Sequence, residues 1–205
     1  MFNREIVMAK NKEIILPSPS LKGNVSLEEA IFKRRSHREF LDKDLDLNQI
    51  SQILWAGQGI TLERFGIKFR TAPSAGALYP IEIYLLTKEG VFHYLPLEHK
   101  LIQIIDKDLR EKLSISCWGQ SFIKEAPLSI VICAVYARTT QKYGQRGIRY
   151  VHIEVGHVAQ NIILEATALG LASVCVGAFD DSEVKDLLSL SREEPLYIIP
   201  IGYPK

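Results

Sequence analysis

The chain has 205 residues and a formal net charge of +1, with 47% hydrophobic and 24% charged residues. That length suits one well-buried domain rather than two large ones. The near-zero charge gives no field to gather nucleic acid or an anionic membrane surface. The longest apolar runs, such as residues 130–137, fall far short of the roughly 20 residues of a membrane-spanning helix.

Residues 1–25 predict an extended arm, because Pro17 and Pro19 restrict themselves and the residues before them. The polar start Met1-Phe2-Asn3-Arg4-Glu5 and the short run Ile14-Ile15-Leu16 do not make a secretory signal. Cys117, Cys133 and Cys175 are far apart and form no CxxC, so they read as reduced, buried thiols of a cytoplasmic protein. Residues 26–205 then form a single domain. Ser26 followed three residues later by Glu29 is a capping box, opening a helix whose apolar side carries Leu27, Ala30 and Ile31. A second helix covers residues 48–56, with Ile50, Ile53 and Leu54 in period, and ends near Gly57 and Gly59.

Residues 71–80 are small, turn-rich and almost uncharged. Residues 81–87 and 91–95 read as the two strands of a hairpin around Lys88-Glu89-Gly90. Residues 106–113 predict a short helix with an aspartate cap, and 128–136 a buried central strand. The longest periodic segment is residues 151–169: Val155, Val158, Ala159, Ile162, Ile163 and Ala166 recur at helical spacing up to Gly170. Glu154, His157, Asn161 and Glu165 form a polar stripe along it. Residues 173–176 read as a strand, 181–190 as a helix and 196–201 as a final strand. Helices and strands alternate without a steady βαβ beat, which favours α+β.

Three stretches offer binding chemistry. Lys33-Arg34-Arg35-Ser36-His37-Arg38 packs cations and a hydroxyl together. On helical spacing Arg34 and Arg38 are one turn apart and converge on one anion, as guanidinium forks suit phosphate; a solvated helix end explains the same residues through the helix dipole. Pro73-Ser74-Ala75-Gly76-Ala77-Leu78-Tyr79-Pro80 lets backbone groups approach a flat ligand closely, or is a plain loop before a strand. Val176-Gly177-Ala178-Phe179-Asp180 ends a strand at a glycine and leaves N–H groups free, a pattern also common in ordinary turns. Other chemistry is excluded. Gly57-x-Gly59 is followed by Leu62 where a dinucleotide fingerprint needs a third glycine, and no phosphate loop is present. His152 and His157 are five apart and do not share a helix face as metal ligands would, so no metal site is read. There is no G-x-S-x-G, and Cys175 in an apolar run is a poor nucleophile.

The ordered set of segments resembles the nitroreductase family of FMN-dependent oxidoreductases, most closely its azoline-dehydrogenase (SagB-type) branch. It comprises Leu16-Pro17-x-Pro19, Ser26-Leu27-Glu28-Glu29-Ala30, Arg34-Arg35-Ser36-x-Arg38-x-Phe40 and Leu54-Trp55-Ala56-x-x-Gly59. Pro73 to Pro80, Gly156-His157-x-Ala159-Gln160-Asn161, Ala168-Leu169-Gly170-Leu171 and Val176 to Asp180 follow. The resemblance implies a mostly antiparallel sheet flanked by helices, in a homodimer with FMN at the interface. It implies that Arg34, Arg35, Ser36 and Arg38 hold the phosphate, ribityl and N1/O2 edge. Pro73, Ser74, Ala75, Gly76 and Ala77 would approach from the partner subunit, and Val176, Gly177 and Ala178 would present backbone near N5 and O4. NAD(P)H would be the hydride donor. Most family members close on the phosphate with an Arg or Lys of a C-terminal tail, a role left empty here unless Lys205 fills it. Ala77 and Tyr79 replace polar residues common in nitroreductases. Lys142-Tyr143 resembles the Lys-Tyr pair that azoline dehydrogenases use for proton removal; an exposed pair on a loop is the alternative reading. The resemblance thus implies reduction of a small acceptor such as a nitroaromatic or quinone. The alternatives are oxidation of a thiazoline- or oxazoline-containing peptide, or flavin binding without turnover.

Overall fold

The structure, a computed structural model, describes residues 12–205; the first eleven residues of the expected arm lie outside the described residues. Beyond them, Glu13–Ile15 (β1) pairs with Lys100–Ile105 (β6). Pro17 and Ser20 are then tied down, as the Ser51 hydroxyl donates to the Pro17 carbonyl (2.6 Å) and Ser20 N–H to Gln52 Oε1 (2.8 Å).

A seven-stranded sheet organises the domain. Its remaining strands are Ile81–Thr87 (β4), Gly90–Leu95 (β5), Leu128–Ala134 (β7), Ala172–Ser173 (β8) and Glu194–Gly202 (β9). The spatial order is β1-β6-β5-β4-β7-β9-β8, and every ladder is antiparallel. Ile60–Arg64 (β2) and Ile67–Arg70 (β3) form a separate hairpin. Side chains alternate across a pleated strand, so each central strand feeds two cores. Ile81, Ile83 and Leu85 of β4 and Ile130 and Ile132 of β7 pack on one face with Leu47–Gln58 (α2) and Arg146–Ala168 (α6). Tyr84, Leu86, Val131 and Cys133 face the other way, toward Arg110–Ser116 (α3) and Asp181–Leu187 (α7). The fold is α+β, helices on both faces of an antiparallel sheet.

Several sequence expectations hold with shifted ends. The hairpin at Gly90, the fully buried β7 and the long helix are present, and Cys117, Cys133 and Cys175 are free thiols, the first two buried. The expected aspartate-capped helix begins later. Its N-cap is Leu109, without a side-chain cap, so the expected Asp106 cap is wrong; Asp108, just before the helix, accepts the Arg110 N–H (3.0 Å). The expected strand at 173–176 shrinks to β8 plus an isolated bridge between Val176 and Ile198. The first helix, Leu27–Lys33 (α1), has its Ser26 cap, with Ser26 Oγ accepting from Glu29 N–H (3.1 Å). Its expected apolar side is nevertheless not covered among the described residues: only Ala30 is buried, while Leu27 and Ile31 are 62% and 54% exposed. The sequence also left β1, β2, β3, β6 and the helices Phe122–Glu125 (α4) and Ala137–Tyr143 (α5) unread. These are short or edge elements with no long periodic signal.

Candidate active site

The basic segment is not helical. α1 ends at Lys33, Arg34 has φ −53° and ψ 123°, and Ser36 forms a parallel bridge with Ser173 of β8. Convergence of Arg34 and Arg38 through one helical turn is therefore wrong. In extended chain they share a side only because residues i, i+2 and i+4 do. The cause is tertiary, since His37 N–H donates to the Ser173 carbonyl (3.0 Å) and draws the segment along the sheet edge. Arg35 turns back and donates to the carbonyls of Phe32 (3.1 Å) and Arg34 (2.7 Å), satisfying the helix C-terminus. Arg38 is exposed, its guanidinium 5.8 Å from the centre of the Phe122 ring. Arg34 and Ser36 line a cavity of about 330 Å³ whose walls include Gly156, Ala159, Gln160, Ser173, Cys175 and Tyr197. Burial raises the Cys175 thiol above its usual range, opposed in part by Tyr197 and by the charge of Arg34. Among the described residues none of Arg34, Arg35 and Arg38 is paired with a carboxylate.

Val176 exchanges backbone hydrogen bonds with Ile198 (2.8 and 3.0 Å), which fixes the chain leading to Gly177 and Ala178. Gln120 Nε2 donates to the Ala178 carbonyl (3.1 Å). Lys205 is exposed and follows Pro204, which bridges to Phe40; the last residues thus run beside the basic segment.

Pro73, Ser74 and Ala75 line a second cavity of about 290 Å³ with Tyr150, Ile153, Glu154 and His157. The turn is tightly specified. Ser74 Oγ accepts from Tyr79 N–H (2.9 Å), and Gly76, Ala77 and Tyr79 have φ of 65°, 53° and 47°, interrupted by Leu78 at −88°; the left-handed conformation costs energy at the two non-glycine positions. At Gly76 a Cβ would stand 2.8 Å from Tyr143 Oη and 3.0 Å from Lys142 Nζ. The Lys142-Tyr143 pair at the end of α5 is thus seated against this turn, and Tyr143 packs edge-on against Tyr150 of α6 at 5.2 Å.

A charged chain that the sequence reading missed holds the turn. Arg138, one helical turn before Lys142, donates to the Tyr79 carbonyl (3.0 Å) and to Glu82 Oε1 (2.5 Å). Glu82 Oε2 meets His93 Nε2 at 2.7 Å. Burial alone would raise the Glu82 carboxyl, but the His93 hydrogen bond and the charge of Arg138 outweigh it and hold it low. On β3, Arg70 donates to Gln58 Oε1 (2.6 Å), stacks on the Tyr79 ring at 4.7 Å, and is lowered by burial. Such contacts between distant strands leave no local spacing to read.

Within one chain only some of the predicted residues line cavities, at two candidate half-sites: Arg34 and Ser36 at the first, and Pro73, Ser74 and Ala75 at the second. Both lie along an exposed stripe of α6, where Gly156 and Gln160 line the first cavity, Ile153 and His157 the second, and Arg149 and His152 neither. A larger cavity, about 560 Å³, lies between residues 20–27, α2 and α6 and contains none of the predicted site residues. Its lining carries Lys22 with Ser20, Ser26 and Thr71, but no arginine.

Fold and half-sites together define an α+β domain with a cationic cavity. Residues 31–203 match the model of the nitroreductase family, and the chain belongs to that family. It is 45% identical over 201 residues to a nitroreductase-family protein of Methanocaldococcus jannaschii, covering 95% of this chain and 98% of that one. It is 28% identical to the microcin B17-processing protein McbC of Escherichia coli, covering 89% of this chain and 72% of that protein. A nitroreductase-family structure from Ralstonia eutropha superposes with a TM-score of 0.84 at 30% identity, over 94% of this chain and 90% of that one. No described helix is long and apolar enough to cross a membrane.

Proposed function

We propose that the chain is an FMN-dependent oxidoreductase working as a cytoplasmic homodimer, with NAD(P)H as hydride donor and a small nitroaromatic or quinone as acceptor. The observation that carries this reading is the first cavity, where a carboxylate-free Arg34 and the Ser36 hydroxyl stand beside a wall of small residues. That donor set fits a phosphate-bearing planar ligand: a guanidinium for the phosphate, a hydroxyl for the ribityl chain, and room for the ring over Gly156, where a Cβ would meet nothing within 4 Å. Arg34, Ser36 and Arg38 would hold the phosphate and ribityl, with Lys205 beside them. Arg35 serves mainly as the helix cap. Val176, Gly177 and Ala178 would border the ring edge, and Pro73 to Ala77 would close over it from the partner. A two-fold copy packed on the exposed stripe of α6 would bring one subunit's turn to the other's cationic cavity and exclude water from both.

Bound FMN would supply the two-electron hydride chemistry. The chain's part is to neutralise the phosphate, orient the ring and keep it dry. A yellow preparation with one FMN per subunit, bleached anaerobically by NADH or NADPH, is the expected result. A colourless protein that takes up no FMN refutes the proposal.

A second reading, oxidation of an azoline-containing peptide, is favoured by one observation: Lys142 and Tyr143 lie against Gly76 of the turn. An amine and a phenol so placed are positioned to take a proton from a substrate bound there, and McbC carries a processing role in its name. Under this reading Lys142→Ala abolishes azoline oxidation and leaves nitroreduction largely intact; equal loss of both would make the lysine a structural contact.

A further inference from the structure

Glu154 is the one acid of α6 that turns inward beside the second half-site. It is 3% exposed, and its Oε1 has no hydrogen-bond partner. The side chain lines the cavity formed by Pro73, Ser74, Ala75, Tyr150 and His157. The groups around it are few. Ser74 comes from the turn, and Arg70 from β3, itself influenced by Glu82 of β4, Arg138 of α5 and Tyr79 of the turn. Tyr150 and His157 come from α6. Arg70 is already engaged by Gln58 and the Tyr79 ring. A buried carboxyl with a free oxygen is costly unless something fills it or it carries a proton.

We infer that Glu154 is a proton-exchanging contact for the ligand of this cavity, its free Oε1 meeting a carbonyl or ring nitrogen of a heteroaromatic ring while the carboxyl is protonated. Binding above neutrality then takes up one proton from solvent. The carboxyl is pushed up to about 7, first by burial and only partly offset by the Ser74 hydroxyl and the charge of Arg70. The inference rests on the FMN reading for the identity of that ligand, and it assigns a role that the phosphate clamp and the Lys142-Tyr143 pair do not supply.

The test is FMN binding to the full-length apoprotein, followed by quenching of flavin fluorescence between pH 6 and pH 8.5. In the wild type, Kd is expected to rise about tenfold per pH unit above neutrality, as linkage to one proton requires. In Glu154→Gln, whose amide keeps a donor without ionising, that rise is expected to vanish. The FMN phosphate titrates in the acidic part of this range, but equally for both proteins, so the difference between profiles isolates residue 154. His157→Asn should retain the wild-type rise. A second measurement needs no variant: calorimetry of FMN binding at pH 8 in two buffers of different ionisation enthalpy should show uptake approaching one proton. Parallel profiles for wild type and Glu154→Gln, or no proton uptake, overturn the inference while leaving the FMN reading intact. Failure to bind FMN at any pH overturns both.

Discussion

The same carboxyl makes the apoprotein's stability depend on pH in a direction opposite to that of a salt-bridged acid. Glu154 is raised from an ordinary glutamate value of 4.5 to about 7. The folded state therefore holds this proton more tightly than the unfolded chain. Its contribution is fully present below about pH 4.5 and is lost as pH rises through the folded value near 7. For a shift of this size the loss between pH 5 and pH 8 comes to about 2.5 kcal/mol. Replacing the acid with Glu154→Gln removes the titration and keeps the shape. Thermal unfolding of apo wild type and variant, run side by side, should give a melting difference that grows in the variant's favour by roughly 5–10 °C between pH 5 and pH 8. Other titrating groups are common to both proteins and cancel. A gap that stays constant across that range would show that Glu154 is solvated or paired in solution, and the reasoning from its burial would fail.

Other perturbations probe separate links. Arg34→Ala removes the cavity's half-buried guanidinium and should weaken FMN binding at least tenfold by fluorescence titration, since charge-assisted contacts contribute about 1.5–3 kcal/mol each; stoichiometric FMN after dialysis would make the arginine structural. Arg138→Gln severs the link from Glu82 to the Tyr79 carbonyl and should cost about 1–2 kcal/mol in urea unfolding, with Arg138→Lys recovering only part because one ammonium does not reproduce the fork. Gly202→Ala places a Cβ 2.7 Å from Pro127 Cδ and 3.0 Å from the Phe40 ring; both are held by packing, so a loss of about 1–3 kcal/mol is expected, measured by the same unfolding.

What was legible in the sequence follows from how local each signal is. The two longest helices were read because their apolar residues repeat along one segment, and β7 because a strand buried on both faces needs no partner to look apolar. The family was legible because its motifs survive in order, whatever shape each one takes. Shape was where local reading failed. Arg34 to Arg38 looked like a helical cluster, yet their backbone follows Ser173, some 135 residues away in the chain. Leu27 and Ile31 looked like core because they are apolar and in period, yet nothing else in the described chain lies over them.

By itself, then, the sequence determined the α+β class and the long helix, and it singled out three candidate binding segments and the Lys142-Tyr143 pair, all from features carried by neighbours along the chain. Only the tertiary structure decided that Arg35 caps a helix while Arg34 faces a cavity, that Lys142 sits against Gly76, and that Glu154 leaves the polar stripe to become buried at the wall of the second cavity. The physical reason is that burial and charge pairing are set by strands and helices brought together across the sheet. Spacing within a segment fixes which side chains share a face. It does not fix what that face meets.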